Sequence, residues 1–217
     1  MRGIPRSRRQ GRRRILSGAV LLGSMGAASA YTVNLAPAAP VTVYLQVGVG
    51  SFSDYYVKDG VPGNNPTINV VSATVAAATL GSGTAQPMTT DSTAAQSYYD
   101  GFAFCNVPGQ LYIGGFYRTT GGPPATATVS ATVPAALTDA AGDRIPFSNI
   151  RWTASGNRTT GAEPFPAGTF VNGGVQMVGS MGRDSWNESC WTFSYVNGIV
   201  PPAGTFTGRV LYTLTSP

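Results

Sequence analysis

The stretch Val41-Thr-Val-Tyr-Leu-Gln-Val-Gly-Val49 decides the fold that we expect of this 217-residue chain. Valine or leucine fills every second position, and Thr42, Tyr44, Gln46 and Gly48 fill the positions between them. Successive side chains of a β-strand point to opposite faces, so the pattern predicts a strand with one apolar face and one more polar face. A strand of this kind covers a hydrophobic core on one side.

Similar alternation recurs along the chain at the spacing that sheet proteins show. Strands are also predicted over residues 67–75, 102–105, 111–118, 125–133, 150–154, 169–178, 190–196 and 206–215. Stretches rich in the 28 glycines and 16 prolines separate them and predict turns. We therefore expect an all-β fold, a two-sheet antiparallel β-sandwich of about nine strands, immunoglobulin-like or jelly-roll, formed as one domain by residues 31–217.

Residues 1–30 have the composition of an export signal. They contain seven arginines and no acidic residue, continue with a weakly apolar run and end in Ala28-Ser29-Ala30, which fits a cleavage site. The sequence predicts a cleaved signal peptide over residues 1–30 and a location outside the cell or on its surface, reached through the periplasm. The pair Arg12-Arg13 leaves both general secretion and twin-arginine export open.

The basic charge of the whole chain belongs to this leader. The chain has 14 basic and 9 acidic residues, a formal charge of +5. Seven basic residues and no acidic ones lie in residues 1–30, so residues 31–217 carry seven basic and nine acidic groups, a formal charge of −2. A basic nucleic-acid surface is therefore not expected, and no apolar run reaches the ~18 residues of a membrane-spanning helix.

The two cysteines, Cys105 and Cys190, suit an exported protein. An even number of cysteines in an oxidising compartment favours one disulfide between them. Two buried free thiols and a metal pair are the alternatives. A metal site lacks further soft ligands, because the chain has no histidine. We predict a Cys105–Cys190 disulfide and no metal or cofactor.

The absence of histidine also removes the commonest general base, so we expect no catalytic residue and no enzyme. Glu163 and Glu188 are the two acids atypical of turns, and they leave a glycan-cleaving carboxylate pair as a weak alternative. Aromatic residues beside turn-like segments are the better lead, because exposed Tyr and Trp stack on sugars or anchor interfaces. The candidate ligand or interface residues are Tyr55, Tyr56, Tyr98, Tyr99, Trp186 and Trp191.

Three stretches together resemble a known class of secreted bacterial proteins. They are the strand from Val41, the segment Asp143-Arg-Ile-Pro-Phe-Ser-Asn-Ile-Arg-Trp152, and the ending Pro202-Ala-Gly-Thr-Phe-Thr-Gly-Arg-Val-Leu-Tyr-Thr-Leu-Thr215. The ending is similar to the closing strand of spore-coat-U-type and other pilin-like subunits. That resemblance implies an immunoglobulin-like fold and assembly by donation of a strand to a neighbour. The chain lacks the early cysteine that many coat-U-type subunits carry.

We expect a secreted, non-enzymatic structural or surface protein, such as a fibre, coat or matrix subunit. A carbohydrate-binding or adhesive module is the alternative, so the expected partners are further copies of the chain or surface glycans. Residues 31–40 form a candidate assembly arm, in which Tyr31, Val33 and Leu35 alternate with polar residues ahead of two prolines. The arm either adds to a neighbour's sheet edge or completes its own sheet.

Overall fold

The computed structural model describes residues 35–37, 39, 41–55, 67–122, 125–156 and 163–217. The predicted signal peptide and the candidate residues Tyr31, Val33 and Tyr56 lie outside these ranges. The described part contains no α-helix, and it has no helical segment long and apolar enough to cross a bilayer. The chain is therefore all-β in the part described.

Fourteen strands and two short 3-10 turns, Ala77–Thr79 and Phe147–Asn149, make up the regular structure within the described residues. In chain order the strands are β1 (Thr42–Val47), β2 (Gly50–Tyr55), β3 (Val71–Ser72), β4 (Gln86–Pro87), β5 (Thr89–Thr90), β6 (Leu111–Arg118), β7 (Thr126–Val133), β8 (Ala136–Thr138), β9 (Arg144–Pro146), β10 (Ile150–Ser155), β11 (Gly168–Thr169), β12 (Gly174–Gly182), β13 (Ser185–Tyr195) and β14 (Leu211–Thr215).

Two antiparallel sheets contain most of these strands. The larger sheet has the order β11-β10-β13-β6-β1-β2, with β4 paired to the end of β13, and the smaller sheet has the order β12-β7-β14. The pairs β3–β5 and β8–β9 form two further antiparallel ribbons. The long strand β13 joins β10 to β6 and so holds the middle of the larger sheet together.

Inward side chains of both sheets meet in one main core. The larger sheet contributes Leu45, Ile113 and Trp191, and the smaller sheet contributes Val129 and Met181. Burial of each large apolar side chain contributes about 1.5–3 kcal/mol, so this core supplies the main stabilising contribution. Two sheets that share a core in this way are compatible with a β-sandwich.

Several strand predictions need correction. Residues 169–178 do not form one strand, because residues 170–173 separate β11 from β12. Gly173 and Gly174, where β12 begins, have φ values of 87° and 98°, which favour glycine. Residues 102–105 form no strand, and a single bridge from Ala103 to Gln96 replaces it. The strand predicted over residues 190–196 covers only the second half of β13, which begins at Ser185 and ends at Tyr195.

The first half of the predicted strand over residues 206–215 is also absent, since β14 begins at Leu211. The backbone at Gly208 instead lies so close to Phe147 and Leu137 that a Cβ atom there would approach carbon atoms of their side chains to 2.7 and 2.9 Å. Thr207 and Thr138 of β8 exchange two backbone hydrogen bonds, each of 2.9 Å, in which each amide donates to the other residue's carbonyl. This segment therefore closes one end of the core, where it covers Phe147.

Candidate binding surface on the larger sheet

Three aromatic side chains lie side by side on the outer face of the larger sheet, the face turned away from the shared core. Tyr44 of β1 is directly opposite Phe116 of β6, and Phe116 is directly opposite Trp186 of β13. Their ring centroids lie 5.6 to 5.8 Å apart. Cross-strand aromatic neighbours of this kind stabilise a sheet, so the three rings form a fixed aromatic floor.

The segment of residues 92–105 runs over this floor and adds two more rings. Tyr98 stacks on Tyr44 with a centroid separation of 4.9 Å and an interplanar angle of 22°, and Tyr99 lies 5.7 Å from Trp186. Tyr44 and Trp186 are buried, whereas Tyr98 is 67% and Tyr99 is 46% exposed. The cluster therefore has a buried layer on the sheet and an exposed layer on the covering segment.

The covering segment is tied to the sheet by the Cys105–Cys190 disulfide, which confirms the predicted pairing. Both cysteines are buried, and their Cα atoms lie 5.5 Å apart. Cys190 lies in the middle of β13 and Cys105 in a loop, so the bond joins a loop to a strand rather than two strand ends. Phe104 packs edge-on against Tyr112 at 5.9 Å and adds an apolar contact beside the bond.

Backbone hydrogen bonds shape the tip of the segment. The amide of Ser97 donates to the Phe102 carbonyl at 2.8 Å, and that of Gly101 donates to the Ser97 carbonyl at 2.9 Å. Gly101 has a φ of 73°, a conformation that side chains disfavour. The carboxylate of Asp100 accepts the Phe102 amide at 2.9 Å. This tight turn holds Tyr98 and Tyr99 above the floor.

A buried carboxylate lies beneath the cluster. One oxygen of Glu188, Oε2, accepts hydrogen bonds from the Tyr112 hydroxyl at 2.9 Å and from Trp186 Nε1 at 2.8 Å. Glu188 faces Gly114 in the sheet, where a Cβ atom would collide with the Tyr112 hydroxyl. The glycine therefore leaves the space in which the tyrosine reaches the carboxylate, and the carboxylate fixes the indole of Trp186.

The two buried tyrosines of this face, Tyr44 and Tyr112, stay neutral over the physiological pH range. Burial raises the pKa of Tyr44 to about 12. Burial, and after it the charge of Glu188, raises the pKa of Tyr112 further above its ordinary value. Arg118 places its guanidinium 5.3 Å from the centre of the Phe116 ring, a cation–π contact at one side of the floor. The surface thus offers aromatic rings and neutral hydroxyls.

The sequence-predicted aromatics separate into three groups. Tyr98, Tyr99 and Trp186 come together in the cluster, with Trp186 as a buried support rather than an exposed contact. Trp191 is fully buried in the core, where its indole N–H donates to the Phe165 carbonyl at 3.0 Å, so its interpretation as a ligand residue is wrong. Tyr55 ends β2, and its side chain lies outside what the structure describes.

The two glutamates do not form a carboxylate pair. Glu163 accepts a hydrogen bond from the hydroxyl of Ser189 in β13 at 3.1 Å. Glu188 lies one residue before Ser189 on β13. Consecutive strand residues point to opposite faces, so the two carboxylates lie on opposite faces of the larger sheet. The described residues also contain no group of three or more potential metal ligands.

Of the three alternating apolar residues of the candidate arm, the structure describes Leu35. Its amide donates to the carbonyl of Asp184 at 2.8 Å, in the turn between β12 and β13, and Leu35 belongs to no strand. The Asp184 carboxylate also accepts the amide of Thr119 at 3.0 Å. Leu35 is therefore held beside a turn of its own chain.

Sequence reasoning did not identify Tyr44, Phe116 and Tyr112 as part of this surface. The position of Tyr44 on the more polar face of the Val41–Val49 pattern could have indicated this surface. A large aromatic ring on that face is buried only if other side chains pack over it outside the main core. Comparison of the chain with protein-family models, with curated proteins and with solved structures finds no match.

Proposed function

We propose that this chain is a secreted, non-enzymatic structural or surface protein with a two-sheet β-sandwich of immunoglobulin-like or jelly-roll type. The observation that carries the proposal is the buried disulfide that ties the covering segment to β13. Disulfides persist in oxidising compartments, in agreement with the export signal expected of residues 1–30. Closure of an 85-residue loop stabilises the fold by about 4.6 kcal/mol in the loop-entropy model, as suits an exposed scaffold.

Assembly with further copies of the chain is the proposed mode of action. The resemblance to coat-U-type and pilin-like subunits supports it, and so does the strand pattern of Tyr31, Val33 and Leu35. Within the described residues, β14 pairs with β7 alone and so leaves one edge open. An open strand edge accepts an added strand through backbone hydrogen bonds.

The association state of the purified protein tests this proposal. We expect size-exclusion chromatography to detect oligomers, and deletion of residues 31–39 to leave a folded monomer, because the arm supplies the added strand. Thermal unfolding of the deletion variant is the control for folding. A destabilised variant whose association state is unchanged would mean that the arm belongs to its own sheet.

A carbohydrate-binding or adhesive function is the second candidate. The aromatic cluster favours it, because Tyr98 and Tyr99 are exposed on a covalently tied segment and supported from below by buried rings. Exposed aromatic rings held in place lose little conformational freedom when a ligand binds. Binding of the purified protein to oligosaccharides tests this candidate.

A further inference from the structure

A groove of about 470 Å³ lies beside Tyr98, between the covering segment and β1. Its volume falls within the ~300–1,000 Å³ of small-molecule sites. Tyr98, Gln46 of β1 and neutral residues of the range 93–103 line it, and none of its lining residues is charged. We call it the Tyr98 groove.

Tyr98 provides the groove with an ordered aromatic surface. One face of its ring lies against Tyr44, and yet the side chain remains 67% exposed. Tyr44 in turn is held by Phe116 and by a hydrogen bond from its hydroxyl to Gln46 Oε1 at 2.7 Å. The free side of the Tyr98 ring is therefore presented to solvent by a rigid support, which lowers the entropic cost of stacking a ligand on it.

The remaining lining offers neutral hydrogen-bonding groups. Thr93, Gln96 and Ser97 contribute hydroxyl and amide groups. The amide of Gln46 is oriented because it accepts from Tyr44 and donates to the Gly48 carbonyl at 2.8 Å. One amide hydrogen of Gln46 and a second lone pair on its oxygen remain available to a ligand.

The chemistry of this lining selects the class of ligand. A charged ligand would lose hydration without gaining a countercharge, whereas neutral hydroxyls exchange water for amide and hydroxyl partners at little cost. β-linked glucose-type sugars carry equatorial hydroxyls, so each ring presents C–H bonds to an aromatic face and hydroxyls around its rim. A groove that is open to solvent also suits a chain that extends beyond it.

We propose that the Tyr98 groove binds a neutral β-linked glucose-type oligosaccharide, with one sugar ring stacked on Tyr98 and its hydroxyls bonded to the amides and hydroxyls of the lining. This inference rests on the carbohydrate-binding candidate above and names its ligand class and its site. The buried rings of Tyr44 and Trp186 act as positioning residues, because they hold Tyr98 and Tyr99 without reaching the ligand themselves.

Calorimetric titration of the purified disulfide-bonded protein with cellohexaose and with chitohexaose tests the inference. We expect saturable binding of at least one of them and about tenfold or greater loss of affinity in Tyr98→Ala, since the stacking ring is removed. Tyr98→Phe keeps the ring, and we expect its affinity within about threefold of the original. Phe102→Ala is the matched control, because Phe102 is an exposed aromatic of the same segment that does not line the groove.

The outcomes separate the site from the function. Absence of binding to both hexasaccharides would overturn the inference, whereas the broader carbohydrate-binding candidate would fail only if oligosaccharides of other linkages and sugars also did not bind. Binding that Tyr98→Ala and Phe102→Ala weaken equally would overturn the groove and leave that candidate standing. Tighter binding of an anionic hexagalacturonate than of either neutral probe would overturn the assignment of a neutral ligand.

Discussion

Glu188 places its carboxyl group beneath the aromatic cluster, where the partners that the structure describes for it are neutral groups. It is 9% exposed, and its described hydrogen-bond partners are the Tyr112 hydroxyl and the Trp186 indole. Among the described residues, the ion pair that the structure contains joins Arg183 to Asp184 and does not involve Glu188. A carboxylate is costly to bury, so the two donors must offset its lost hydration while the carboxylate fixes their positions.

Replacement of Glu188 by alanine should therefore be costly. We expect Glu188→Ala to lower the free energy of unfolding by about 2–4 kcal/mol, because it leaves two buried donors, Tyr112 Oη and Trp186 Nε1, without an acceptor. Glu188→Gln keeps an acceptor oxygen and should cost less. Urea denaturation of both variants measures the difference, and equal stabilities would contradict the proposed role of the acceptor.

The buried tyrosines make stability depend on pH in the alkaline range. The pKa of Tyr44 is about 12 in the folded chain against an ordinary value of 10.0, so unfolded chains release this proton first. Stability from this group is complete below pH 10 and is lost as the pH rises from 10 to about 12. Burial also raises the pKa of Tyr112, Tyr195 and Tyr212, which act in the same direction.

We expect the free energy of unfolding to fall between pH 10 and pH 12, with phenolate absorbance rising as the chain unfolds. In Tyr44→Phe this fall should be shallower, since one titrating group is gone while the other three remain. Urea denaturation at a series of pH values measures it. An identical pH dependence in Tyr44→Phe would mean that Tyr44 titrates normally in the fold.

The covering segment behaves as a structural element although it contains almost no regular hydrogen-bonded ladder. It is fixed at one end by the Cys105–Cys190 bond and near its tip by the stacking of Tyr98 on Tyr44. Within the segment, the amides of Phe104 and Cys105 both donate to the Ala95 carbonyl, at 3.0 and 3.2 Å. Its order therefore depends on attachments to the sheet more than on its own backbone pattern.

Loss of the disulfide should release this segment selectively. In the double variant Cys105→Ala, Cys190→Ala we expect the free energy of unfolding to fall by about 2–4 kcal/mol. Trp186 should become accessible to iodide quenching because it lies under the segment, whereas Trp152 and Trp191 stay protected in the core. Unchanged quenching with the fold intact would show that ring stacking alone holds the segment.

Much of the sheet structure could be predicted from the sequence, because its strongest strands carry their own pattern. The strand predicted over residues 111–118 is β6, and that over residues 125–133 is β7 with one residue fewer. In β7 small apolar residues alternate with Thr and Ser, so one face is buried and the other is polar. A shift of one residue in strand pairing would expose the apolar face, so the pattern fixes the register. The all-β class follows from strands of this kind.

The candidate surface could not be predicted in the same way, because it depends on contacts between residues far apart in the chain. Tyr44, Phe116 and Trp186 become neighbours through the pairing of three strands, which local alternation does not determine. Residues 102–105 read as a strand because aromatic residues are common in strands. Their side chains instead serve a loop that packs against the outer face of a sheet.

The path of the disulfide has a mechanical consequence for a protein exposed to pulling forces. The bond closes 85 residues, which include β6 to β12 and the first half of β13, into one covalent loop. An extended chain spans about 3.3–3.6 Å per residue, so the loop corresponds to roughly 290 Å of extended chain. Tension on the two termini cannot extend this length while the bond is intact. Under tension the segments outside the loop would unfold and extend first. Reduction of the bond would then add the contour length of the loop to the chain that can extend.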